Sequence, residues 1–188
     1  MEMLDDEWGV LYNHLSDKIE LHADVEEMLS AFANNNLNQI ILSAFKTNEI
    51  TKYARKFSIE NYFDDILGTQ NIVMESKTIR GRRYIQKHGF APKQTLYIGD
   101  TVHDYNTARD LGVDCILFSG GQQSPKLLKQ CGVPVYNSFA DITKRRNRST
   151  TTPSPKTQAL SKTPRACLSM ILILLLMVPV WFSLQWIL

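Results

Sequence analysis

Four polar side chains stand where this sequence could do chemistry: Ser43, Lys77, Asp100 and Asp104. The two acids lie in the run GDTVHD, separated by one short turn. Carboxylates that close repel one another unless a cation sits between them, and hard oxygen donors suit Mg²⁺. Gly99, just before them, lets the backbone turn sharply at a strand end. A purely structural role is equally open, with Asp104 capping the next helix and Asp100 capping a turn. Ser43 follows the apolar run QIIL. Its hydroxyl could donate to a phosphoryl oxygen, or simply shape a turn. Lys77 opens a helical stretch after a loop. There it could neutralise a phosphate and a neighbouring carboxylate, although Arg80, Arg82, Arg83 and Lys87 lie close by and most lysines are solvated.

These side chains need a frame, and hydrophobic periodicity supplies one. Val25, Met28, Leu29 and Phe32 recur at helical spacing. NQIILSA, with its β-branched residues, reads as a strand buried on both faces. Asn48 to Ser58 reads as a helix, Asp65 to Gly68 as a short strand, and Ser76 to His88 as a helix stopped by Gly89. TLYIGD is a second clear strand, and His103 to Leu111 a helix closed by Gly112. DCILFSG is a third strand, followed by a helix over Pro125 to Gln130. Such alternation predicts an α/β fold, a parallel sheet with helices on both faces. Ligands of open parallel sheets bind beyond the carboxyl ends of the strands, where Ser43 and Asp100 fall.

Taken together, the order, spacing and strand context resemble the haloacid dehalogenase superfamily, in particular its phosphoglycolate-phosphatase-like branch. LHADVEEMLSAFANNNLNQIILSAFKTNEI resembles the helix and second-motif strand of that branch, MESKTIRGRRYIQKHGF its third motif, and TLYIGDTVHDYNTARDLGVDCILFSGG its fourth. The likeness runs from about Leu21 to Ile142. It implies a Rossmann-like three-layer core and Mg²⁺-dependent hydrolysis of a small phosphorylated substrate. Ser43, with Ala44, and Lys77 would bind phosphate, and Asp100 and Asp104 would hold the metal. In the family an aspartate on the first strand attacks phosphorus to form an aspartyl-phosphate, and the cation, lysine and serine stabilise the charge on the equatorial oxygens.

The family's first motif, DxDxT after an apolar strand, has no counterpart here. Asp5 and Asp6 are adjacent, and no strand pattern precedes them. Residues 1–20 look like the last part of a cap domain, so an N-terminally truncated core over 21–143 is expected, inactive for want of the nucleophile. The strand carrying that nucleophile would lie between those ending in Ser43 and Asp100. An open slot there leaves backbone groups unpaired, which predicts poor folding or association that completes the sheet. A non-catalytic, membrane-tethered module binding phosphate or a partner is the alternative. A receiver-like domain ranks lower, because the acidic pair comes last instead of first.

All 19 acidic residues precede position 144, so residues 144–188 carry only cations. Residues 144–165, KRRNRSTTTPSPKTQALSKTPR, read as a basic Ser/Thr/Pro-rich linker. Without interleaved aromatics they do not argue for nucleic acid. Ala166–Leu188 is 23 residues without a charge, long enough as a helix to cross about 30 Å of hydrocarbon. A C-terminal hydrophobic helix is expected, a single membrane span with the body in the cytosol. A glycolipid-anchor signal is disfavoured because MEMLDDEWGV is no secretory leader. Cys115, Cys131 and Cys167 form no CxxC pair, so neither zinc nor a disulfide framework is indicated, and a reducing compartment fits.

Overall fold

The helices and strands form where the apolar spacing calls for them. In a computed structural model, which describes residues 20–69, 75–150 and 169–172, Val25, Met28, Leu29 and Phe32 are the buried stripe of α1 (Val25–Asn34). Strand β1 (Asn38–Lys46) buries Gln39 through Ser43 and exposes its last three residues. Helix α2 (Thr47–Lys56) follows at once, then β2 (Asp65–Thr69). Helix α3 (Lys77–His88) begins at Ser76, whose hydroxyl accepts from the Ile79 N–H. It ends at Gly89, with φ 69°, a left-handed turn that suits glycine. The chain continues through β3 (Thr95–Gly99), α4 (Val102–Leu111), β4 (Asp114–Phe118), α5 (Pro125–Leu128), β5 (Val135–Tyr136), α6 (Phe139–Thr150) and β6 (Ser169–Leu172).

The strands form one sheet in the order β2-β1-β6-β3-β4-β5, every neighbouring pair parallel. Successive strand residues point to opposite faces, and β3 shows the consequence. Ile98 packs with Met28, Leu29 and Phe32 of α1 and with Phe139 and Ile142 of α6. Tyr97 packs on the other face with Tyr84 and Ile85 of α3 and with Ala108 and Leu111 of α4. The result is the expected three-layer, Rossmann-like α/β arrangement. A buried Leu, Ile or Phe in such a layer is worth roughly 1.5–3 kcal/mol relative to exposure.

Two expectations need correction. Lys144–Thr150, assigned to the linker, continue α6. Phe139 and Ile142 anchor that helix in the core, and the good helix formers Lys144 and Arg145 extend it. The second correction concerns the tail. Ser169–Leu172, expected within a hydrophobic helix, are instead a strand. They occupy the slot between β1 and β3, pairing with Asn38–Ile41 on one side and with Thr95–Ile98 on the other. The physical reason is the slot itself: two apolar strands each offer a row of unpaired N–H and C=O groups, and a short apolar segment satisfies both rows. The slot in the sheet is thus filled from within the chain. The rest of Ala166–Leu188, most of the linker and the cap-like residues 1–19 lie outside the described residues. Among the described residues no helix is long and apolar enough to cross a membrane.

Candidate active site

Ser43 ends the buried part of β1, and Asp100 directly follows β3. With β6 between those strands, two spacings of 4.7–4.9 Å put their backbones about 10 Å apart. The gap is bordered from one side by the start of α3. Lys77 is its first residue, buried to 9% exposure, and its Nζ lies 2.5 Å from Asp104 Oδ1.

Asp104 is the anchor of the cluster. It is 1% exposed, and its carboxylate accepts from five donors. Oδ1 takes Lys77 Nζ and the Tyr97 hydroxyl at 3.3 Å. Oδ2 takes the N–H groups of Asp100 and Thr101, both at 3.1 Å, and the Thr101 hydroxyl at 2.7 Å. Burial opposes its ionisation, yet the Lys77 ammonium and these hydrogen bonds hold it below the ordinary carboxylate range. The Thr101 hydroxyl in turn accepts from the Asp104 N–H, a reciprocal capping box that starts α4. So the helix-capping role is realised in Asp104, while the Asp100 carboxylate accepts from the loop after β4. Gly99 is required by this packing, since a Cβ there would fall 2.3 Å from the Asp104 Cβ.

Asp100 is different. Its Oδ2 accepts from the Gln122 N–H at 2.6 Å. Burial pushes its pKa up to about 6, against the pull of that hydrogen bond and with the help of the Asp104 charge. Its negative charge is therefore poorly compensated by the protein. Ser43 is 8% exposed, and its Oγ accepts from the Phe45 N–H at 3.1 Å, which leaves the hydroxyl proton to donate. Ala44 is exposed at the strand end, its carbonyl 3.5 Å from the Thr69 hydroxyl.

The structure thus puts Lys77 in contact with Asp104 and joins Asp104 to the backbone of Asp100. Ser43 is tied in by a residue the sequence reading passed over. Arg80 donates to the carbonyls of Ser43 and Glu75, both at 2.6 Å, bridging the end of β1 and the start of α3. Its position three residues after Lys77, on the same helix face, was the available signal. Gln122 and Gln123 were also missed. Gln123 Oε1 accepts from the Val102 N–H at 2.7 Å, so the loop after β4 closes over the start of α4. Nothing local in the sequence marks that contact.

The family model for haloacid dehalogenase-like hydrolases matches residues 3–118. The chain belongs to this family. Among solved structures it resembles a predicted phosphatase from Clostridium acetobutylicum, with TM-score 0.64 and 20% identity over 69% of this chain and 61% of that one. A haloacid dehalogenase-like hydrolase from Streptococcus pneumoniae gives TM-score 0.62 and 20% identity, over 68% and 60%. A predicted phosphoglycolate phosphatase from Haemophilus somnus gives TM-score 0.62 and 22% identity, over 68% and 57%. Identities this low establish the shared fold. The chain spans about three-fifths of the length of these structures. No curated protein sequence matches it.

Haloacid dehalogenase-like phosphatases generally use Mg²⁺, and the donor set here can be tested against that ion. Asp100 fits: its carboxylate, with Oδ2 accepting from the Gln122 N–H, carries a charge that burial and Asp104 oppose and a cation would relieve. Asp104 fits less well, because a carboxylate offers about four lone-pair sites and five donors already approach it. Its place is better described as orienting Lys77 and the Asp100 turn. Among the described residues no group of three or more His, Cys, Asp or Glu side chains gathers to hold a metal.

Proposed function

We propose that this chain carries the phosphate- and cation-binding part of a phosphomonoester hydrolase and, by itself, binds a phosphorylated small molecule without turning it over. Ser43 would donate its hydroxyl proton to a phosphoryl oxygen, with the exposed end of β1 at Ala44 beside it. Lys77, held by Asp104, would lend positive charge. Asp100 would take Mg²⁺, with Asp104 orienting that turn, and the bound ion would supply electrostatic neutralisation of the phosphoryl group. The observation that carries this reading is the buried Lys77–Asp104 pair hydrogen-bonded to the Asp100 turn at the carboxyl end of β3. Turnover is withheld because Ala166–Leu188, which supplies the strand in the central slot, contains no Asp or Glu and so no carboxylate to attack phosphorus.

Isothermal titration of the full chain with inorganic phosphate, with and without Mg²⁺, tests this directly. Saturable phosphate binding that requires Mg²⁺, together with no hydrolysis of p-nitrophenyl phosphate, is the expected result. Mg²⁺-dependent hydrolysis abolished by Lys77→Met would show that the site finds a nucleophile elsewhere. Absence of phosphate binding under all conditions would remove the reading altogether.

A second reading is favoured by the 23 uncharged residues at 166–188 and the cations that precede them. In it the same phosphate-binding body is tethered to a membrane facing the cytosol and holds a ligand there without catalysis. Carbonate extraction of expressing cells decides it, since release into the soluble fraction excludes a span.

A further inference from the structure

The turn that presents Asp100 is held from two sides. From within, the Asp104 carboxylate takes the N–H groups of Asp100 and Thr101. From outside, the loop after β4 engages the same turn twice. The Gln122 N–H donates to Asp100 Oδ2 at 2.6 Å, and Gln123 Oε1 accepts from the Val102 N–H at 2.7 Å. We infer that Gln123 is a positioning residue for the candidate cation site. Its side chain seats the loop on the start of α4, and the loop then aims the Gln122 N–H so that the Asp100 carboxylate meets Mg²⁺ in one fixed orientation. The inference rests on the proposed reading of Asp100 as the residue that takes Mg²⁺. It deepens that reading, because it gives two uncharged residues a share in setting the affinity of the site.

The contact made by Gln123 is one that α4 cannot make for itself. Val102 is the first residue of that helix, and the first N–H groups of a helix have no partner within it. Thr101 serves the N–H of Asp104, and Gln123 serves that of Val102. The loop is also pinned at both ends. Ser119 donates its N–H and its hydroxyl to the Tyr136 carbonyl, at 2.8 and 3.2 Å. The Ser124 hydroxyl accepts from the Leu127 N–H and starts α5. Residues 120–123 therefore have little freedom, and one side-chain hydrogen bond suffices to set where Gln122 points.

Gly120 shows that the seat is tight. Its backbone is not left-handed, so conformation does not call for glycine there. Space does: a Cβ at Gly120 would fall against the Phe118 ring, 2.7 Å from its Cε1. That ring cannot easily give way. It is 3% exposed, stacked on Phe139 at 4.2 Å, and met edge-on by His22 at 5.0 Å. A methyl group at position 120 must then move the loop instead of the ring, and the Gln122 N–H moves with it.

Two measurements on the full chain test the inference: calorimetric titration with Mg²⁺, and amide hydrogen exchange without metal. Gln123→Ala should weaken Mg²⁺ binding about tenfold, the lower end of the range for groups that orient a ligand from outside the metal shell. The Gln122 amide should lose protection in the same variant. Gln123→Glu keeps an acceptor for Val102 and should keep the Gln122 amide protected. Ser124→Ala removes a cap from α5, one residue further on. It should lower stability and leave the Mg²⁺ affinity unchanged.

Unchanged or tighter Mg²⁺ binding by Gln123→Ala overturns the inference and leaves the reading of Asp100 intact. Equal weakening by Ser124→Ala reduces the effect to general destabilisation and also overturns it. Absence of Mg²⁺ binding by the unmodified chain overturns both. Where Gln123→Ala does not fold, Gly120→Ala decides. It should weaken Mg²⁺ binding and expose the Gln122 amide, and adding Phe118→Leu, which removes the far edge of the ring, should restore both. Loss without recovery in the double variant counts against the seat and against the inference.

Discussion

Replacing Lys77 with methionine tests the centre of the site. The methionine keeps the apolar stem and removes the ammonium. Lys77 and Asp104 are both buried, at 9% and 1% exposure, with 2.5 Å between Nζ and Oδ1. At that separation and an effective dielectric near 20, the gross attraction is about 6–7 kcal/mol. Part of it is returned, because the variant no longer has to desolvate an ammonium. Four neutral donors still serve Asp104, so its charge is not stranded completely. The balance matches the range of about 3–5 kcal/mol seen when one partner of a buried ion pair is removed.

The penalty should depend on pH in a definite sense. With Lys77 present, the folded pKa of Asp104 lies below its ordinary value. The carboxylate then adds stability that is present above about pH 4 and lost as the pH falls through the folded value. In Lys77→Met the ammonium no longer opposes burial, so the folded pKa moves upward and protonation relieves the variant. Urea unfolding followed by far-ultraviolet circular dichroism should give a loss of about 3–5 kcal/mol near pH 7 and less than half of that near pH 4. A loss under about 1 kcal/mol, or one that is the same at both pH values, would refute the argument that this pair carries buried, opposed charges.

Two further substitutions probe the neighbours. Asp100 has its folded pKa raised to about 6, so its ionisation costs the fold stability as the pH climbs from about 4 to 6. Asp100→Asn should therefore stabilise the metal-free chain by about 1–3 kcal/mol near pH 7, flatten that part of the pH profile in urea titrations, and abolish any thermal shift with Mg²⁺. Arg80→Gln removes the bridge between the Ser43 and Glu75 carbonyls. Urea unfolding should show a loss of about 2 kcal/mol, and calorimetry should show weakened phosphate binding even though Arg80 need not touch the anion.

Most of the frame was legible because helix and strand periods are local. Ser76 and Gly89 mark the ends of α3, and Gly112 the end of α4, by turn chemistry that needs no tertiary information. The helix-capping reading of Asp104 was likewise local, and the strand-end rule put Ser43 and Asp100 at the carboxyl ends of β1 and β3. What the sequence hid was non-local. The two-residue strand β5 is too short to have a period. α6 runs on into residues whose composition suggests a linker, because Phe139 and Ile142 hold its first turns in the core. The fate of Ser169–Leu172 was the least readable. An uncharged run reads as a membrane span on hydropathy alone, and only the existence of a two-sided gap between β1 and β3 makes a strand of it.

Under the proposed reading, electrostatics in the site would impose an order on the binding of phosphate and Mg²⁺. Asp104 offsets part of the Lys77 charge at close range, so the positive charge Lys77 lends to a phosphate is reduced. Asp100 remains, and its raised pKa reports that its surroundings already resist one negative charge. A phosphate brought between Ser43 and Asp100 would add more negative charge in the same poorly solvated space. The anion would enter once Asp100 takes up a proton or a cation sits on its carboxylate. Near pH 7 protonation is the dearer route, since it must be drawn about one unit above a pKa near 6. A divalent cation removes the same repulsion and adds an attraction of its own. By reciprocity, phosphate must strengthen Mg²⁺ binding by the factor through which Mg²⁺ strengthens phosphate binding. The coupling should shrink as the pH is lowered toward 5, where a proton does part of the cation's work.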